Sequence, residues 1–187
     1  MQLKNTPDKY GLIAQAFHWL IGLTIIAMIP FGWWMEGLEA NPEKYKFYGL
    51  HKSIGVVVLA LVILRFFWRR MNETVENLKT HKPWEKILSK TVHIALYVLM
   101  LAMPLSGWLM SSAGGHPVSI FGLFTVPPLV NKDPALGKIL NSAHSLIAWG
   151  VIAIMSLHVL GALKHHFLDK DKTLRRMLPI LPLFFFL

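Results

Sequence analysis

From Tyr10 to Met35 the chain carries no Asp, Glu, Lys or Arg, an uncharged run bracketed by Lys9 and Glu36. An α-helix rises about 1.5 Å per residue, so roughly 20 apolar residues cross the hydrocarbon layer of a bilayer. This run is long enough, and three more follow. Ser53 to Leu64 is short by itself and reaches spanning length with His51 before it and Phe66, Phe67 and Trp68 after it. Thr91 to Ser112 is the third, stopped by Gly114 and Gly115. Ile139 to Leu163, between Lys138 and Lys164, is the fourth. Backbone polar groups inside lipid have only one another to bond, so each run reads as a helix. The first is too long for the apolar centre of a signal peptide, and no small-residue cleavage motif follows it. The reading is an all-α membrane protein, a four-transmembrane-helix bundle. Residues 1–178 form its one domain, and 179–187 an apolar tail of unassigned role. The apolar end, Met177 to Leu187, is too short to span and is expected to lie in the interface.

Charge supports this reading. Only 16% of residues are charged and 54% are hydrophobic, where a soluble domain carries about a quarter charged. The net charge of +9 would suggest a nucleic-acid partner on a soluble protein. Here the cations cluster by loop, so the expected partner is membrane lipid and not nucleic acid. Lys4 and Lys9 precede the first run. Arg65, Arg69, Arg70, Lys79, Lys82, Lys86 and Lys90 lie between the second and third. Lys164, Lys170, Lys172, Arg175 and Arg176 follow the fourth, which puts 14 of the 19 basic residues on one side. By the positive-inside rule both termini are cytoplasmic. The long outer connection, Ser111 to Asn141, carries an apolar patch from Val118 to Val126 that is expected to cap the bundle or lie on the membrane surface.

Nine histidines occur, and His18, His51, His93, His144 and His158 fall within or at the edge of the runs. Ionisable groups are costly in lipid, so a functional role is the default reading. A single such histidine is commonly a neutral one bonded to a neighbouring helix, but five in four helices need another reason. His144 and His158 are 14 residues apart, roughly 21 Å along the helix and about 40° around it. They face one way at two depths. His51 enters its helix level with His144, and His18 lies level with His158. His93 shares that inner level.

Two imidazoles per level are too few for tetrahedral zinc, and no intramembrane carboxylate completes a set. Opposed imidazoles do fill both axial positions of a haem iron. With no cysteine in the chain, thiolate sites and covalent haem attachment are excluded. The expectation is therefore two non-covalent b-type haems, the outer on His51 and His144 and the inner on His18 and His158. Iron with both axial positions filled transfers electrons and does not bind oxygen. Four residues beyond these ligands stand Gly55, Ala148, Gly22 and Ala162, small enough to admit a porphyrin. At the same offset His93 has Tyr97, so His93 is preferred as a supporting residue, for instance to a haem propionate. Arg65, Lys164 and His165 either contact propionates or snorkel to the interface. His81 and His116 lie in loops and are expected to be solvated. Pro30 and Pro104 are expected to kink their helices.

These residues carry a resemblance. Gln15-Ala-Phe-His-Trp-Leu20, Leu50-His-Lys-Ser-Ile-Gly55, Arg65 with Trp68-Arg69, Ser119-Ile-Phe-Gly122, and Ala162 to Asp171 continuing through Thr173-Leu-Arg-Arg-Met177 resemble the bacterial cytochrome b561 family. The resemblance runs from about Tyr10 to Leu178. It implies a multi-pass protein of the bacterial inner membrane with two bis-histidine haems, His18, His51, His144 and His158 being the ligands. It also implies electron exchange with the quinone pool, frequent homodimers and, in some members, superoxide oxidation with ubiquinone reduction. The outer side carries five Lys against Glu36, Glu39, Glu43 and Asp133, so charge alone gives no case for steering superoxide. Two rivals stand beside an electron-transfer oxidoreductase of this kind. One is a cytochrome b subunit of a larger dehydrogenase or hydrogenase, which requires a redox protein partner. The other is a haem-free transporter with a histidine proton relay.

Overall fold

The computed structural model describes residues 2–78 and 80–179. Four helices carry the chain back and forth: α1 (Leu12–Glu36), α2 (Pro42–Arg70), α3 (Pro83–Ala113) and α4 (Pro134–Phe167). Each contains an apolar window long enough to cross a membrane, as the charge-free runs require. The apolar end of the chain beyond residue 179 lies outside the described residues.

Three of the helices start on proline, whose fixed φ and missing N–H suit a first turn. Asn41 caps α2, its side-chain oxygen accepting from Lys44 N at 2.8 Å, and Asp133 caps α4 by accepting from Ala135 N and Leu136 N. Lys82 N donates to Glu85 Oε2 at the start of α3. The Asn41-Pro42 start places α2 well before Ser53, so the second span is the end of a 29-residue helix, not a short one. Of the charged residues near its start, Glu43 and Lys46 are exposed, and Lys44 Nζ donates to Glu36 O and Leu38 O. Pro30 and Pro104 lie inside α1 and α3.

Side chains such as Leu23, Ile94, Leu146 and Leu160 are largely exposed, as lipid-facing residues are. Ile21, Val58, Val62 and Met100, one or more from each of α1, α2 and α3, form the buried core at mid-height. Val151 of α4, seven residues from both His144 and His158, is also buried at that level. Helix α4 packs its backbone most extensively against α3, and α1 against α2, while neither α1 nor α2 packs its backbone broadly on α4. That leaves room between them.

The connection from α3 to α4 contains a feature the sequence reading did not anticipate. Strands β1 (Val118–Ile120) and β2 (Phe124–Val126) pair antiparallel, Ser119 opposite Thr125. Phe121 and Gly122 turn the chain with φ of 50° and 76°, and Leu123 N donates to Ile120 O at 2.9 Å. Positive φ at both central positions is the turn whose twist matches two paired strands. The hairpin sits on α2. The buried Ser53 hydroxyl lies 2.9 Å from Ser119 O and accepts from Phe121 N at 3.0 Å, and Lys52 Nζ donates to Pro117 O at 2.8 Å. Val118 and Ile120 are buried beneath it, so this side of the patch caps the bundle as expected. Phe121, Leu123 and Phe124 face outward.

At the opposite end the three basic segments are sewn together. Asn5 Nδ2 donates to Glu73 O at 2.8 Å, and Asn5 Oδ1 accepts from Gly11 N at 2.9 Å. Gln15 Nε2 donates to Arg176 O, Trp19 Nε1 to Met177 O, and Arg176 Nη1 to Glu76 O. A side chain at Gly11 would collide with the backbone of Leu3 and Lys4, so the fold-back of the N-terminal segment demands glycine there.

Candidate functional site

The histidines gather in two layers. In the outer layer His51 of α2 faces His144 of α4, their ring centroids 6.5 Å apart and their planes at 74°. In the inner layer His18 of α1 faces His158 of α4 at 5.8 Å and 64°. Two imidazoles on opposite sides of one metal, each bonded at about 2 Å, have centroids roughly 6.3 Å apart. Both spacings lie within about half an ångström of that figure. Each pair bridges helices whose backbones do not pack broadly on each other, so a planar group between the rings meets side chains and not backbone.

Local chemistry in the outer layer favours ligation. Ser106 Oγ donates to Met103 O at 2.8 Å and lies 2.9 Å from His144 Nδ1. With its own hydrogen committed to that carbonyl, the hydroxyl accepts from Nδ1–H, and the lone pair of His144 is left on Nε2. His51 Nδ1 is buried without a partner. A cleft of about 180 Å³ runs past His51, Gly55, Met103, His144 and Ala148. A Cβ at Gly55 would meet nothing within 4 Å, whereas one at Gly107 would lie 3.1 Å from His144 Cε1 and one at Gly32 3.4 Å from His51 Cε1. Gly55 thus opens space, and Gly32 and Gly107 let the rings stand against their helices. The sequence reading missed Ser106, Gly107 and Gly32. The Pro104-Leu-Ser-Gly107 cluster of small and polar residues in an apolar helix was the available signal.

The inner layer holds a third imidazole and a cation. His93 of α3 lies 5.2 Å from His158, ring to ring, and its Nδ1 donates to Ser89 O at 2.6 Å. Arg65 Nη2 donates to His18 Nδ1 at 3.2 Å. Arginine has only donors, so His18 then carries its proton on Nε2. A metal bond through Nε2 requires the other tautomer, and the guanidinium would have to leave the ring. The Arg65 and Arg69 guanidinia each lie 5.7 Å from the Tyr97 ring centroid, and the Tyr97 hydroxyl is buried without a partner. Among the described residues neither guanidinium has a carboxylate within ion-pair distance. Cations and an unpaired hydroxyl at this level suit an anionic group such as a propionate.

Lys164 and His165 stand outside both layers. Lys164 Nζ binds Glu85 Oε1 at 2.5 Å and Asp169 Oδ2 at 2.7 Å. His165 Nδ1 lies 2.8 Å from Asp169 and 3.0 Å from Asp171. His81, expected to be solvated, is instead largely covered and lies 3.2 Å from the same Asp171 oxygen. Burial pushes the Asp171 carboxyl up, but bonds from Thr173 and the neighbouring imidazoles prevail and hold it below the ordinary carboxylate value.

Residues 9–179 match the sequence pattern described as prokaryotic cytochrome b561. The chain belongs to that family. It is 38% identical over 179 residues to cytochrome b561 homolog 2 of Escherichia coli (strain K12), covering 95% of both chains. A protein of Yersinia pestis named probable superoxide oxidase CybB is 29% identical over 174 residues, covering 91% of this chain and 96% of its own. Cytochrome b561 homolog 1 of Escherichia coli (strain K12) is 27% identical over 168 residues, covering 87% and 92%. A cytochrome b561 with four spanning helices is a multi-pass protein of the bacterial inner membrane that transfers electrons, and membership of the family implies b-type haem. The residues present fit that group on the donor set of each layer, the orphaned His51 nitrogen and the space opened at Gly55.

Proposed function

We propose that this cytochrome b561 carries two b-type haems, one on His51 and His144 and one on His18 and His158, and passes electrons between a periplasmic donor or acceptor and the quinone pool. The paired imidazole spacing, repeated at two heights of α4, supports this most directly. Bound there, the haems supply one-electron redox steps at two depths of the membrane. The chain supplies the rest. Ser106 keeps the His144 proton on Nδ1, the mid-height core separates the two layers, and Arg65 with Arg69 offers charge to propionates at the inner one. The relationship to a protein named probable superoxide oxidase extends the proposal to its substrate. Two superoxide anions each give up one electron and leave as oxygen, and one quinone takes both electrons and two protons to become quinol.

A second inner pairing has an observation in its favour, since His93 lies even closer to His158 than His18 does. Haem counting separates the two. Purified protein is expected to show a b-type reduced-minus-oxidised spectrum with two haems per chain. His51→Ala and His144→Ala each leave one, and His18→Ala leaves the other. Loss of the inner haem in His93→Ala with its retention in His18→Ala would reverse the inner assignment. A chain assembled without haem would sink the whole reading.

A further inference from the structure

Where α4 ends, a second histidine cluster stands clear of both layers. His81 lies in the turn before α3, His165 in the last turn of α4, and Asp171 in the segment that follows. His81 Nε2 and His165 Nδ1 converge on one oxygen, Asp171 Oδ2, at 3.2 and 3.0 Å. Their ring centroids are 4.5 Å apart, and the three donor atoms lie within 4.8 Å of one another. The side chains of His81, His165 and Asp171 are only 14%, 15% and 7% exposed.

We propose that His81, His165 and Asp171 form a binding site for a divalent first-row transition cation. Metal bonds of about 2.1 Å set at right angles place neighbouring donor atoms roughly 3.0 Å apart and two neighbouring imidazole centroids roughly 4.5 Å apart. The two imidazole-to-Asp171 separations and the spacing of the two rings match ligands set at right angles on one metal. Two imidazoles with one carboxylate select Zn²⁺, Co²⁺ or Fe²⁺ over Mg²⁺ and Ca²⁺, which prefer oxygen alone. Thr173 Oγ1, 3.1 Å from His81 Nε2, is a neutral oxygen within reach, and water takes the remaining positions. Charge agrees. Lys164 pairs with Glu85 and Asp169, whereas Asp171 faces His81, His165 and the Thr173 N–H, with no Lys or Arg within ion-pair distance among the described residues. A bound cation would tie the α2–α3 connection to the end of α4 and the segment after it, a clasp independent of the haem ligands.

Full-length protein in detergent, stripped with a chelator and dialysed against zinc chloride, reads this directly by elemental analysis, which counts zinc apart from haem iron. One zinc per chain is expected, uncompeted by a large excess of Mg²⁺. His81→Ala and Asp171→Asn, with haem absorbance confirming assembly, should each weaken binding on the order of tenfold or more. Zinc held with undiminished affinity by both variants, or no saturable zinc at all, overturns the proposal and leaves a hydrogen-bonded cluster only. Should the variants fail to assemble, X-ray absorption at the zinc edge of the unaltered protein decides. Two imidazole nitrogens and a carboxylate oxygen support the site, and a shell without imidazole refutes it.

Discussion

At the level of single residues, each layer of the site is built from imidazoles carried on lipid-crossing helices. An imidazole inside a lipid-crossing run is costly enough to announce itself, and a spacing of 14 on one helix fixes two depths. Ser106 and Gly107 carry no such mark, because small residues in membrane helices also serve ordinary packing. His93 was legible as a competitor and stays one, as three imidazoles share the inner level. Ser106 offers the sharper test. Its oxygen accepts the Nδ1 proton of His144, which makes that imidazole a stronger donor and favours oxidised iron. Ser106→Ala should keep two haems and raise the midpoint potential of the outer one alone in a redox titration. A Cβ at position 107 presses on the His144 ring from 3.1 Å, so Gly107→Val should cost the outer haem and spare the inner. An unchanged outer haem in both variants would show that α3 does not position this ligand.

For the elements, the helices follow from the uncharged runs, but their true starts follow from Asn41-Pro42 and Asp133-Pro134, which lie outside those runs. The hairpin escaped because three-residue strands carry no usable alternation, and because Phe121 adopts a positive φ that its residue type does not advertise. Its attachment rests on Ser53, which is 1% exposed and bonded to both Ser119 and Phe121. Ser53→Ala takes the acceptor from the Phe121 N–H and the hydroxyl from beside Ser119 O, a loss of about 0.5–1.5 kcal/mol. The thermal midpoint should fall by several degrees, with two haems retained at room temperature. A stability equal to the parent's would mean that Val118 and Ile120 hold the hairpin without Ser53.

Across the whole molecule, the four-helix plan leaves its orientation to be read from charge. The N-terminal segment, the α2–α3 connection and the segment after α4 meet at one end, joined through Asn5, Gln15 and Arg176. That junction requires a shared side without saying which. These three segments hold 14 of the 19 Lys and Arg residues in the sequence, and basic flanks are retained in the cytoplasm. The opposite end carries the hairpin, whose outward Phe121, Leu123 and Phe124 sit best at the lipid interface. We therefore expect both termini in the cytoplasm, the His51–His144 layer near the periplasmic face and the His81–His165–Asp171 cluster in contact with cytoplasmic metal. Reporters fused after residue 187 test this in intact cells. A fluorescent protein that matures only in the cytoplasm should be bright, and an alkaline phosphatase that folds only in the periplasm should be inactive. The phosphatase placed at Gly122, at the hairpin tip, should be active. The reverse pattern would exchange the two faces, putting the His18–His158 layer nearest the periplasmic donor and the proposed metal clasp outside the cell.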